Sequence, residues 1–208
     1  DKTLDELITL SNDEILFEEK IKVFDEILIR KPNDVSLNNA YTQFLFDNKK
    51  YRLAQEKIDI QIINDLYNKQ TYFLKGRLHL TLNELELAEQ SFIKAIAIDK
   101  KDALSLNALG YVYSINNKIY KAEAAYKMAI SIDSENIFSH LNLGILKSNQ
   151  GEYQDALILL ENAAMFSISQ NDYKRYLMTI SKIESLKIYK IEVASVLEKL
   201  EELNTWGS

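Results

Sequence analysis

Apolar and small residues recur along this chain with a period of 34 residues. Three series of small residues keep this period: Gly76, Gly110 and Gly144; Ala54, Ala88, Ala122 and Ala156; and Ala95, Ala129 and Ala163. A large apolar residue follows each member of the second series by four positions: Ile58, Phe92, Tyr126 and Leu160. Residues four apart share one face of a helix. The pattern therefore predicts an array of helical repeats, each too small to bury its apolar face without a neighbour.

Polar residues with the same period predict where the helices begin and end. Four residues that can cap a helix N-terminus each precede a helical stretch: Asp34, Asn68, Asp102 and Asn136. Midway between them lie residues that tolerate the left-handed backbone of a helix end: Asn83, Asn117 and Gly151. Each unit is predicted to be a first helix of about 13 residues and a second of about 14, both ordinary lengths, joined by short turns.

The small residues indicate that the two helices of a unit approach each other closely. A glycine inside a helix costs about 1 kcal/mol relative to alanine, so close packing has to offset that cost. We expect Gly110 to lie where the first helix touches the second through Ala122, beside Tyr126. Glu123 is expected on the outer face of the second helix.

The repeat resembles the tetratricopeptide repeat. The 103–136 unit carries most of its signature: Leu106, Leu109, Gly110, Tyr113, Ala122, Tyr126 and Ala129. Units 69–102 and 137–170 keep the glycine and both alanines, whereas unit 35–68 has Thr42 and Gln61 in place of small residues, and unit 1–34 keeps little of the signature. The resemblance implies an all-α fold, a right-handed α-solenoid of stacked antiparallel helix pairs, with five repeats over residues 1–170.

The segment 171–205 lacks the small-residue signature. Asn171 and Asp172 offer an N-cap, and apolar residues recur beyond them at helical spacing. We interpret this segment as a divergent capping helix or helix pair. One long bent helix stays open, because no glycine or proline lies between Asn171 and Trp206.

Composition and charge narrow the function classes. The chain has 47% hydrophobic and 27% charged residues, a formal net charge of -6 and no cysteine. An acidic chain without a broad cationic face is a poor nucleic-acid binder, and no apolar run reaches the roughly 18 residues of a membrane span. The two histidines, His79 and His140, have no ligand-type partner four residues on. We therefore expect no enzyme, no metal and no cofactor.

Position within the repeat predicts the binding residues. In tetratricopeptide proteins the second, fifth, ninth, twelfth and thirteenth residues of a unit face a concave groove. In the first two units these positions are mostly polar: Lys2, Asp5, Thr9, Asn12, Ser36, Asn39 and Gln43. From the third unit onward they are largely apolar, and we predict a partner-binding groove of Phe73, Arg77, Leu80, Leu104, Asn107, Tyr111, Ile115, Phe138, Leu141 and Ile145.

The expected function is a non-catalytic scaffold that holds another protein's amphipathic helix or extended apolar segment. The paired lysines of the carboxylate-gripping tetratricopeptide proteins are missing, so that use is not expected. Arg77 is either a lone cation for an acidic ligand residue or an exposed arginine paired with a nearby glutamate. We expect a soluble protein of the cytoplasm or the periplasm, trimmed or processed ahead of Asp1.

Three alternatives stay open. The chain's own C-terminal helices are a second candidate occupant of the groove. The protein is alternatively a self-assembling module that forms homo-oligomers through its end repeats or Trp206. It is otherwise a regulatory region of a larger bacterial assembly or secretion protein.

Overall fold

The computed structural model describes residues 17–64, 68–189 and 193–204. Within these ranges there are eleven α-helices, one short 3₁₀ helix at Leu186–Tyr189 and no strand. The α-helices are α1 (Phe17–Arg30), α2 (Val35–Asp47), α3 (Tyr51–Asn64), α4 (Lys69–Thr81), α5 (Leu85–Ile98), α6 (Ala103–Ile115), α7 (Ile119–Ile132), α8 (Ile137–Asn149), α9 (Tyr153–Ser169), α10 (Tyr173–Ser185) and α11 (Ala194–Leu203). The predicted all-α solenoid of stacked antiparallel helix pairs is confirmed. The groove positions Lys2, Asp5, Thr9 and Asn12, and Trp206, lie outside the described residues.

The predicted N-caps are confirmed at all four positions. The side chains of Asp34, Asn68, Asp102 and Asn136 each accept a hydrogen bond from the backbone N–H three residues later, at 3.0, 3.2, 3.3 and 3.0 Å. Each cap satisfies a donor that has no partner within its helix. The repeat period therefore also sets where the first helix of each unit begins.

The predicted left-handed turns are also present. Asn83, Asn117 and Gly151 have φ values of 60°, 56° and 82°. Lys49, one period earlier, has φ 58° although it lacks the side chain that favours this region. Lysine has no intrinsic preference for this backbone conformation. The helices on either side of Lys49 therefore impose the turn geometry of the 35–68 repeat.

The chain divides into two compact units, residues 1–87 and 88–208, with the boundary inside α5. In the first unit, Phe24 stacks on Tyr41 at 4.7 Å between ring centroids.

Thr42 and Gln61, which replace small residues of the signature, are buried in the first unit. Gln61 Nε2 donates to Thr42 Oγ1 at 2.9 Å, and Thr71 Oγ1 donates to Gln61 Oε1 at 3.0 Å. Buried polar groups are tolerated when they pair in this way, so hydrogen bonds replace close small-residue packing in this repeat.

In the second unit, glycines bring the paired helices together as the sequence predicts. A Cβ built at Gly110 would lie 2.7 Å from ring carbons of Tyr126, and one at Gly144 would lie 2.9 Å from Leu160 Cγ. Both partners are fully buried. The large residue on the second helix thus fills the space that a side chain on the first helix would need.

Glu123 does not lie on a solvated outer face. It pairs with Lys127 at 2.7 Å and with Lys147 of α8 at 2.9 Å, and Lys147 also pairs with Glu152 at 2.9 Å. The expectation for Glu123 was wrong because α8 packs beside α7 and brings a lysine to the carboxylate.

The C-terminal segment contains two separate helices. A core of buried apolar residues joins α9 to α10, the 3₁₀ helix and α11, and includes Leu160, Ile183, Leu186, Val193 and Leu200. Within the described residues, no helix is both long enough and apolar enough to cross a membrane.

Candidate functional site

In the first unit, Arg77 of α4 is held by its own neighbours. Its Nη1 donates to Gln43 Oε1 at 2.6 Å, and its guanidinium carbon lies 4.8 Å from the ring centroid of Phe46 and 5.9 Å from that of Phe73. Burial lowers the pKa of Arg77, and the charge of Asp47 acts in the opposite direction. Arg77 is therefore not an exposed arginine paired with glutamate, and that expectation was wrong; its role as a cation for an acidic ligand residue stays a prediction. It is a half-buried group stacked on two aromatic rings.

In the second unit, α6 presents a row of accessible apolar side chains. Leu104, Tyr111 and Ile115 are 47%, 44% and 46% exposed. The buried residues of the same helix are Ala103, Ser105, Leu106, Leu109, Gly110 and Val112. Seven and four residues separate Leu104, Tyr111 and Ile115, so they follow one face of the helix. All three are predicted groove residues, and their exposure leaves them accessible; binding through them stays a prediction.

The predicted groove residues on α8 differ in exposure. Phe138 is 38% exposed, and Ile145 is partly buried. Leu141 is 2% exposed and belongs to the core shared by α9 and α10. Leu141 is therefore not accessible to a partner, because the following helices pack over it.

A pair of amide side chains joins the two helices. Asn142 Nδ2 donates to Asn107 Oδ1 at 3.0 Å, and both residues are partly exposed. In the described part of the structure, the Asn107 amide N–H groups and the Asn142 carbonyl oxygen have no other partner, so they can bind a ligand. Asn142 was not among the predicted residues, since it follows the groove position by one residue. We call the surface of Leu104, Asn107, Tyr111, Ile115, Phe138 and Asn142 the α6–α8 face.

The α6–α8 face ends at Arg175 of α10. The Arg175 guanidinium carbon lies 3.9 Å above the ring centroid of Phe138, and its Nη1 pairs with Asp172, which also caps α10. Sequence reasoning missed Arg175, because nothing in its repeat position connects it to Phe138. The C-terminal helices thus contact one end of the face and leave the apolar row on α6 exposed.

Each histidine ring contacts a polar group of its own chain. His79 Nδ1 lies 2.6 Å from Glu84 Oε2, and His140 Nε2 lies 3.0 Å from the carbonyl oxygen of Ser134. Burial lowers the pKa of His140. Across the part of the chain that the structure describes, no three His, Asp or Glu side chains come together as metal ligands.

Comparisons with known proteins agree with this geometry. The family model described as tetratricopeptide repeat matches residues 69–102 and 103–136. No curated protein matches the chain in sequence. The match identifies two adjacent repeats, of which 103–136 carries most of the signature.

Solved structures share the fold at low sequence identity. TTC0263, a thermophilic TPR protein of Thermus thermophilus, is 17% identical with a TM-score of 0.68, covering 85% of this chain and 95% of that one. MamA 41-end from Desulfovibrio magneticus RS-1 is 19% identical with a TM-score of 0.65, covering 80% and 94%. YrrB, a TPR protein with an unusual peptide-binding site, is 14% identical with a TM-score of 0.59, covering 86% and 88%. The family match thus identifies residues 69–136 as two tetratricopeptide repeats, and the solved structures show that the chain shares the fold of TPR proteins.

Proposed function

We propose that this protein is a non-catalytic scaffold that binds an extended segment of a partner protein on the α6–α8 face. The observation that carries the proposal is the exposure of the large apolar residues Leu104, Tyr111, Ile115 and Phe138 on neighbouring first helices. Exposed apolar surface of this kind marks interaction sites. The tetratricopeptide fold supports an interaction scaffold, and YrrB has a peptide-binding site.

The amide pair favours an extended segment over an amphipathic helix. An extended chain has free backbone N–H and C=O groups, whereas a helix satisfies its own. Asn107 offers N–H donors and Asn142 offers a carbonyl acceptor beside the apolar row. The pair therefore matches the backbone of an extended segment, while Tyr111 and Phe138 contact its apolar side chains. Buried aromatic residues dominate the binding energy of such interfaces.

A pair of tyrosines allows a matched test in living cells. Tyr111 is replaced by the photo-crosslinker p-benzoylphenylalanine in one variant, and Tyr120 in the other. Tyr120 is the better exposed of the two, at 88%, and lies on α7 outside the α6–α8 face. We expect a protein that crosslinks through position 111 and not through position 120, and mass spectrometry then identifies the crosslinked segment.

Affinity measurements on that segment complete the test. As a synthetic peptide, it should bind Tyr111→Ala and Phe138→Ala about 1–3 kcal/mol more weakly than the unchanged protein. Tyr120→Ala should change binding by less than about 0.5 kcal/mol. Crosslinking through position 120 alone, or equal affinity of all variants, means that the partner binds elsewhere.

A further inference from the structure

A pocket of about 190 Å³ opens beside the α6–α8 face, at the C-terminal end of α8. It is lined by Ile145, Ser148, Asn149, Leu160, Lys182, Ser185, Ile188 and Tyr189. A cavity of about 150 Å³ is large enough to hold benzene. The pocket therefore has room for the ring of a phenylalanine or for a branched aliphatic side chain.

The pocket is lined half by apolar and half by polar residues, with one cation. Its apolar lining comes from Ile145 and Leu160, which pack in one core, and from Ile188 and Tyr189. Lys182 is exposed and takes part in no ion pair among the described residues. Ser185 does not compete for a ligand as a donor, since its hydroxyl donates to the Lys182 carbonyl oxygen at 2.6 Å.

The segment around the pocket has the opposite charge to the chain as a whole. Between residues 173 and 189 lie four basic residues, Lys174, Arg175, Lys182 and Lys187, and one acidic residue, Glu184. The whole chain carries a formal net charge of -6. Of these basic residues only Arg175 is in an ion pair within the described part of the structure. A local positive potential attracts a ligand with negative charge.

We propose that this pocket binds a large apolar side chain of the partner segment, together with an acidic side chain two residues away that pairs with Lys182. Side chains two apart in an extended chain point to the same side, so both reach the protein at once. The inference rests on the proposed function, because Ile145 is a predicted groove residue and joins the pocket to α8. It adds a sequence requirement for the partner: an apolar residue, any residue, then aspartate or glutamate.

The test uses short capped peptides as probes of the full chain. The probe is Gly-Phe-Gly-Glu-Gly with an acetylated N-terminus and an amidated C-terminus, and its matched controls carry Gln in place of Glu or Ala in place of Phe. Titrations are followed by the NMR shifts of the Ile145, Leu160 and Ile188 methyl groups. We expect the probe to shift these methyls and to bind at least fivefold more tightly than either control.

Two lysine variants isolate the charge. Lys182→Gln should remove the preference for Glu over Gln, whereas Lys187→Gln, an exposed lysine that does not line the pocket, should keep it. Ser148→Leu, which places a larger side chain in the pocket, should abolish the methyl shifts while the unfolding midpoint shows that the fold persists. Absence of shifts at these methyls, or an unchanged Glu preference in Lys182→Gln, overturns the proposal. Tighter binding of a Gly-Gly-Phe peptide with a free carboxylate than of the capped probe also overturns it, because the ligand is then a chain terminus.

The outcome is separable from that of the proposed function. Tyr111→Ala should leave probe binding in the pocket unchanged, because Tyr111 does not line it. If the probe binds and the photo-crosslinking at position 111 fails, the pocket stands and the α6–α8 face does not. The reverse result keeps the scaffold and removes the pocket.

Discussion

Replacing Gly110 with alanine should destabilise this protein, although alanine is the better helix former. Helix propensity alone favours the substitution by about 1 kcal/mol. The new Cβ would, however, lie 2.7 Å from Cδ1 and Cε1 of Tyr126, where ordinary contacts begin at 3.4 Å. The tyrosine ring has no room to retreat, because it is 1% exposed and packs with Ala122, Leu143 and Leu146.

The magnitude follows from the two opposing effects. Overpacking a tight core costs about 1–3 kcal/mol, and subtracting the propensity gain leaves a net loss of about 1 kcal/mol for Gly110→Ala. In a Tyr126→Val background the clashing ring atoms are absent, so the same substitution should instead stabilise by about 1 kcal/mol. The predicted coupling between the two positions is therefore about 2 kcal/mol, which is within the range measured for residues in contact.

Urea unfolding of the four members of this cycle measures the coupling. Lys121→Ala on the exposed face of α7 is the control and should change the unfolding free energy by less than about 0.5 kcal/mol. If Gly110→Ala changes stability by the same amount in both backgrounds, the two side chains do not compete for space. The assignment of Gly110 to the close contact between α6 and α7 is then wrong.

Two further predictions concern the ion pairs and the oligomeric state. Lys127 and Lys147 hold the pKa of Glu123 below its usual value of 4.5, so this network stabilises the fold above about pH 4.5 and loses that effect as pH falls through the lower pKa of the folded state. The urea midpoints of the unchanged protein and of Lys147→Met should therefore differ at pH 7 and converge in acid. Arg52→Met breaks an exposed pair with Glu56, so its urea midpoint should equal that of the unchanged protein at both pH values. A difference between the unchanged protein and Lys147→Met that persists in acid contradicts the reasoning. Light scattering should give the 24.1 kDa mass of one chain at every concentration, and a mass that rises with concentration favours the self-assembling alternative.

The local features of the fold were predictable because each depends on residues close in sequence. A cap at Asp102 needs only the backbone three residues later, and a turn at Asn117 needs only its own φ. The contact between Gly110 and Tyr126 was predictable for a related reason, since the two helices of one unit follow each other directly. Because the caps and turns recur every 34 residues, they predicted the helices even in the 35–68 repeat, which departs from the signature.

The candidate site was less predictable because it depends on contacts between units of the repeat. Repeat position assigned Leu141 to the accessible groove, yet α9 and α10 bury it. Repeat position also passed over Asn142 and Arg175, which gain their roles only from Asn107 and Phe138 on other helices. Glu123 was misplaced for the same reason, through its contact with α8.

The sequence by itself determined the helices, their ends and the pairing of neighbours, because hydrogen bonds and packing over short chain separations are encoded within one 34-residue unit. Only the tertiary structure decided which side chains on those helices are free to meet another molecule. The exposure of Tyr111, the burial of Leu141 and the position of Lys182 beside a pocket each depend on residues from other units. A repeat signature constrains the residues that hold the units together, whereas the accessible surface is what remains after those contacts have formed.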